Sequence, residues 1–158
     1  MPSGYQLAQL NIARMKFDME SPEMSDFVDA LDPVNATADA SPGFVWRLQD
    51  DNGNATSQLI WDDPQWLVNV TVWENLESLK RFVRSELHLR IMQRRREWFA
   101  ALAEAYVVLW WVPAGHQPTV AEAQSRLEKL RADGPGPEAF NFARPFPPPG
   151  ENNAEAAV

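Results

Sequence analysis

Cysteine is absent from this 158-residue chain, which excludes disulfides, zinc–thiolate sites and cysteine nucleophiles. Histidine is nearly as scarce, with only His88 and His116. Basic residues are outnumbered, 14 Lys and Arg against 22 Asp and Glu, and the net charge of −8 argues against a general affinity for nucleic acid. The one basic cluster, Arg94-Arg95-Arg96, reads as a solvated or salt-bridged helix face. No apolar window approaches a membrane span, and the N-terminus lacks a basic region followed by an apolar run. The expectation is a cytoplasmic protein without nucleic-acid or membrane partners. Phosphate loops, paired-carboxylate motifs, metal quartets and Ser-His-Asp arrangements are missing too.

Tryptophan, by contrast, is abundant. Seven residues in a chain of this size point to a pocket or an interface as well as a core. The length suits one domain, expected over residues 1–150, with a disordered tail at 151–158.

Gln6 to Met15 alternates, with Leu10 and Ile12 on one face and Gln9, Asn11 and Ala13 on the other, so it predicts a strand. Ser21-Pro22 opens a helix with Met24, Phe27, Val28 and Leu31 as its buried stripe, and Asp32-Pro33 is expected to end or kink it. An irregular turn over 35–43 should follow. Phe44 to Gln49 predicts a strand with Phe44, Trp46 and Leu48 on one side and Val45 and Arg47 on the other. Asn52-Gly53 marks a hairpin tip. Gln58 to Trp61 and Trp66 to Trp73 are strand material, the latter with Val68, Val70 and Val72 opposite Asn69, Thr71 and Trp73.

Trp73 to Phe99 is the central segment. Asn75 is a helix cap, and Leu76, Leu79, Phe82 and Val83 form an apolar face. Beyond it run two stripes, Leu87-Ile91-Arg94-Trp98 and His88-Met92-Arg95-Phe99, neither aligned with that face. A break near Ser85-Glu86 is therefore expected. Ala105 to Val112, apolar on both faces, predicts a central covered strand. Thr119 and Glu122 form a capping box for a helix burying Val120, Ala123, Leu127 and Leu130. The Phe- and Pro-rich tail, 139–150, should lie extended across the surface.

This order specifies an α+β, ferredoxin-like split βαβ fold with a four-stranded antiparallel sheet, an extra C-terminal helix and an extended tail. Helices on one side would leave the other sheet face bare, too aromatic for water. A second copy covering that face would enclose a barrel-like cavity, so a homodimer is expected.

His88 is the first candidate for chemistry, since an imidazole in this largely apolar setting stays neutral and can relay a proton. Hydrogen bonding at the helix bend is its structural alternative. His116, in a Gly-His-x-Pro loop, reads chiefly as a turn stabiliser but is retained as a candidate pocket residue. Asn11, Asn69 and Thr71 would offer neutral hydrogen bonds to a substrate, while Trp46, Trp73, Trp98 and Met92 would wall the pocket.

Three stretches carry a family resemblance: SELHLRIMQRRREWF with His88 and Trp98, LWWVPAGH-x-PT over Leu109 to Thr119, and GPGPEAFNF over Gly134 to Phe142. The chain resembles the DUF3291 family of the dimeric α/β-barrel superfamily. That superfamily includes cofactor-free monooxygenases, haem-binding enzymes, and isomerases and lactone-forming enzymes. The resemblance implies the dimeric α/β barrel and leaves activity open. The leading expectation is an enzyme of specialised metabolism, monooxygenase-like or an isomerase or cyclase. It would act without a tightly bound cofactor or metal on a hydrophobic carbonyl or polyphenol-like small molecule, with His88 catalytic. The alternatives are a haem protein with His88 or His116 as axial ligand, and a non-catalytic binder of hydrophobic ligands.

Overall fold

The computed structural model describes residues 4–49 and 59–150. Strand β1 (Tyr5–Arg14) leads through a 3-10 turn (Pro22–Met24) into helix α1 (Ser25–Asp39), then β2 (Phe44–Arg47) and β3 (Trp66–Trp73). Three short helices follow, α2 (Leu76–Val83), α3 (Glu86–Gln93) and α4 (Arg95–Trp98), before β4 (Val107–Pro113) and α5 (Val120–Asp133). The sheet is antiparallel in the order β2-β3-β1-β4, the ferredoxin-like arrangement. Among the described residues no helix is long and apolar enough to cross a membrane.

Period-two patterning gives the sheet two different faces. Ala8, Leu10 and Ile12 of β1, Val68, Val70 and Val72 of β3, and Val108, Trp110 and Val112 of β4 form one, wholly apolar and buried. Helix α5 packs across it with Ala123, Leu127 and Leu130. Thr119 caps that helix by accepting the Glu122 N–H at 3.1 Å. This corrects the expectation of a bare sheet face: the chain's own C-terminal helix seals it. The reason given above for a covering twin copy and an inter-subunit cavity is therefore removed.

The second face runs from apolar to polar along the strands. Leu7 pairs with Trp73 at one end, then Gln9 with Thr71, Asn11 with Asn69, and Ala13 with Leu67. Over the Leu7–Trp73 end sit α2 and the tail, with Phe82 stacked on Trp73 and Phe140 fully buried. Asn75 caps α2, its side chain accepting the Ser78 N–H at 2.9 Å. Gly43 (φ 83°) lets the chain pass close to Ser78, whose Oγ would stand 2.0 Å from any added Cβ.

Several expectations need correcting. Helix α1 does not stop at Asp32 but continues through Pro33 to Asp39. Proline removes one backbone donor, and the carbonyl left over four residues earlier belongs to exposed Asp29, where water can serve it. Val28 is exposed, while Met24 and Phe27 are buried as expected. A β-bulge between Phe44 and Trp46 sends these two rings to opposite sheet faces. Of the strand expected over 58–61, Gln58 lies outside the described residues, and the rest contributes one bridge, Ile60 to Asp63, in a turn where Trp61 and Asp62 have positive φ. Strand β4 is an edge, not central, although both its faces are covered. Its open side is partly closed by Phe140, which exchanges two backbone hydrogen bonds with Leu109. The start of the tail, Ala139 and Phe140, is accordingly part of the core, while the rest lies along the surface as expected, held by the Trp111 indole donating to the Phe146 carbonyl at 2.8 Å. The hairpin tip at Asn52-Gly53 and the tail beyond 150 lie outside the described residues.

Candidate functional site

A cavity of about 460 Å³ lies between the polar end of the second sheet face and the helices, within the usual range for small-molecule sites. Gln9, Asn11 and Asn69 form its floor. Phe27, Leu31 and Val34 of α1 make one wall. A second wall, joined to the first where Phe27 meets Phe99 at 5.0 Å between ring centroids, is the stripe His88, Met92, Arg95 and Phe99, all four of which line the cavity.

The break expected near Ser85 lets that stripe turn inward. Helix α2 ends at Val83, whose carbonyl accepts a hydrogen bond from His88 Nδ1 at 3.0 Å. A carbonyl can only accept, so the proton sits on Nδ1 and Nε2 carries a lone pair. Among the described residues Nε2 has no hydrogen-bond partner. The ring packs against Phe82 at 5.2 Å between centroids. Burial among these apolar groups pushes the imidazole below its ordinary value, outweighing the opposing effect of the Val83 bond. The ring is thus a neutral acceptor at pH 7, both held at the helix bend and presented to the cavity.

Beneath the floor runs a buried polar chain. The Trp73 indole N–H donates to Thr71 Oγ1 (2.9 Å), Gln9 Nε2 donates to the same oxygen (2.8 Å), and Asn11 Nδ2 donates to Gln9 Oε1 (2.6 Å). In this sense the Thr71 hydroxyl proton has no acceptor. Reversing both amides satisfies it: Thr71 then donates to Gln9, Gln9 donates to Asn11, and both Nδ2 protons of Asn11 are released. The indole, which can only donate, favours that sense. It gives Asn11 a fixed N–H donor on the cavity floor.

The sequence candidates therefore separate. His88, Asn11, Asn69 and Met92 meet in the cavity. Thr71 and Trp73 lie on the same sheet face but are roofed by the α2 end, and act behind the floor rather than on it. Trp98 is a correction: it is buried with Met15, Met24 and Phe27, its ring covered by the Arg94 guanidinium at 4.9 Å. Trp46 is another, turned by the bulge to the α5 side of the sheet. His116 is a third. Its Nε2 is hydrogen-bonded to Glu122 Oε1 at 2.6 Å on the α5 side, where it offers no ligand atom to the cavity. Missed were Gln9 and the second half of α1, with Val34 and Asn35 in the lining. A kink at Pro33 is one of the two expected outcomes, but the irregular turn expected over 35–43 hides this part of the lining, since residues 35–39 are helical.

Among the described residues no three His, Asp or Glu side chains gather to hold a metal ion. What the arrangement offers is a neutral base, an oriented amide and an apolar enclosure.

Fold and site together define a ferredoxin-like α+β protein with its cavity under the helix-covered face of the sheet. The chain belongs to the DUF3291 family, described as a domain of unknown function, whose profile matches residues 6–156. No curated protein matches it. Its fold is similar to that of a conserved protein from Methanosarcina mazei, at 13% identity and a TM-score of 0.50, covering 71% of this chain and 95% of that one. A protein of unknown function from Nitrosomonas europaea aligns at 10% identity and 0.48, covering 73% and 94%. SnoaB, a cofactor-independent oxygenase from Streptomyces nogalater, aligns at 15% and 0.44, covering 71% and 95%.

Proposed function

We propose that this protein is a small-molecule enzyme that abstracts a proton from a hydrophobic carbonyl or polyphenol-like substrate, without a tightly bound cofactor. The observation that carries the reading is His88: its Nδ1–H is committed to the Val83 carbonyl, and its Nε2 lone pair, at the cavity wall, has no partner among the described residues. A base so placed takes a proton from an acidic O–H, or from a C–H beside a carbonyl. Asn11 donates to the oxygen on which the resulting charge develops. The enolate or phenolate is electron-rich, and either a monooxygenase-like reaction with dioxygen or an isomerisation or cyclisation can start from it. Apolar walls exclude water and keep the base unprotonated.

The test needs no knowledge of the natural substrate. The protein should accelerate exchange of the C1 protons of 2-tetralone with solvent deuterium, read by NMR, and His88→Ala should abolish the acceleration while leaving the thermal transition unchanged. Equal exchange by the variant would remove His88 from the mechanism.

The same imidazole geometry favours a second reading. A metal-binding histidine commonly has its other nitrogen fixed by a carbonyl, as here, so Nε2 would also serve as axial ligand to haem. A Soret band on adding hemin, lost in His88→Ala, would support that reading.

A further inference from the structure

The three consecutive arginines have three different surroundings. Arg94, at the junction of α3 and α4, donates to Glu97 and to Asp26, each at 2.8 Å, and lies over the Trp98 ring. Two carboxylates neutralise it. Arg95 and Arg96 line the cavity and make no ion pair among the described residues. Arg95 has only a long contact to the Tyr106 hydroxyl, 3.4 Å. A third lining cation, Arg47, is bound to Asp39 at 2.9 Å.

No Asp or Glu of the described residues lines the cavity, in a chain holding 22 acidic and 14 basic residues. Of the other twelve basic side chains, seven have a carboxylate partner among the described residues. Lys129 reaches both Asp133 and Glu138, and Arg90 and Arg14 each have one partner. Two guanidinium groups left without a counter-charge, beside Phe27, Leu31, Ile91 and Phe99, form a cationic border to an apolar enclosure. Such a border gives a ligand carrying both a ring system and a negative charge an attraction that a neutral ring lacks. A guanidinium also matches a carboxylate or sulfonate with paired donors.

We propose that the cavity selects ring-bearing organic anions over neutral ring compounds, with Arg95 and Arg96 as the specificity-determining residues. This deepens the functional reading and rests on the same cavity being a ligand site. The anionic group stays at the arginines while the ring system enters toward Asn11 and His88.

The probes are 8-anilinonaphthalene-1-sulfonate and its neutral counterpart N-phenyl-1-naphthylamine, titrated by fluorescence at low salt. The anionic probe is expected to bind at least roughly fivefold more tightly, an advantage that shrinks as salt is added. In the double variant Arg95→Gln, Arg96→Gln the advantage disappears while the neutral probe binds as before. Arg90→Gln removes one positive charge from a neighbouring surface position and should change neither titration. Equal binding of the two probes, or an advantage that survives the double substitution, would overturn the proposal while leaving the enzyme reading in place. Failure of both probes to bind would remove the cavity as a ring-compound site, and both readings with it.

Discussion

The two faces of the sheet share one backbone and have opposite contents. On the α5 side the central side chains of the three long strands, Ala8, Leu10, Ile12, Val68, Val70, Val72, Val108, Trp110 and Val112, are all apolar and 3% exposed or less, with Gln6, Arg14 and Trp66 only at the strand ends. On the other side the same strands place Gln9, Thr71, Asn11 and Asn69 across the middle, and α1, α3 and α4 stand off enough to leave the cavity. A continuous apolar layer gains by excluding every gap, because a void forfeits contacts without relieving anything. A polar floor cannot be closed in that way, since each amide must find a partner. The lesson is a division of labour: one face supplies stability, and the other carries the polar groups that the proposed ligand site would use.

The comparison breaks most visibly if the sealed face is damaged. Leu127, fully buried between α5 and the sheet, should cost about 2–5 kcal/mol when changed to Ala, read by denaturant unfolding. Proton exchange measured on the fraction still folded should be unaffected. His88→Ala should do the reverse, lowering catalysed exchange by about 100- to 10,000-fold with little change in the unfolding midpoint.

How far the residues foretold this differs between the faces. The stripe His88-Met92-Arg95-Phe99 was legible because helical period alone groups those positions, and all four reached the cavity wall. The break at Ser85 was legible for the same reason, as an apolar face that failed to continue. Alternation on β1 and β3 correctly placed Asn11 and Asn69 on the polar face, apart from the valines, while their pairing across the strands came only with the structure. What period cannot show is which layer covers which face. Helix α5 was visible as an amphipathic helix, but its docking on the apolar sheet face depends on a return across the sheet that no local pattern encodes. The bulge at Phe44–Trp46 inserts one residue and silently exchanges sides, which is why Trp46 was misassigned. The fate of Arg94 against Arg95 and Arg96 depends on distant Asp26, and on a helix junction too short to read.

A smaller effect would sharpen the boundary between floor and enclosure. Thr71→Val removes the oxygen that accepts from Trp73 and bonds Gln9, leaving a buried indole N–H unpaired. The expected cost is about 1–3 kcal/mol. Because Thr71 positions Asn11 without lining the cavity, catalysed exchange should also fall, by roughly tenfold, as a lost hydrogen bond to a charge-bearing oxygen would give. Thr71→Ser, which keeps the hydroxyl, should restore the rate. A purely structural role for the chain would leave the rate of the folded Val variant untouched.

Acid should produce a gentler change. His88 is held below its ordinary value of 6.5 by burial, so between that lowered value and 6.5 the unfolded chain binds more protons at this position. Protonating His88 therefore costs stability: none is lost above pH 6.5, and the loss accrues as pH falls from 6.5 through the folded-state value. Catalysed exchange, needing the neutral ring, should persist below pH 6.5 and then decline. In His88→Gln this part of the acid sensitivity of the unfolding midpoint should vanish.

The smallest effect belongs to the other histidine, and it tests the division most directly. His116 sits on the sealed side, its Nε2 bonded to one oxygen of Glu122 while the other oxygen accepts the Trp110 indole N–H at 2.8 Å. Removing the imidazole in His116→Ala leaves the Trp110 bond intact and frees an oxygen that water can reach, so less than about 1 kcal/mol should be lost. Glu122→Ala, by contrast, strands a buried indole N–H and should cost about 1–3 kcal/mol. Neither change should alter 2-tetralone exchange, since both act across the sheet from the cavity. A loss of exchange in His116→Ala comparable to that of His88→Ala would mean that the two faces are coupled, and that the α5 layer does more than hold the sheet.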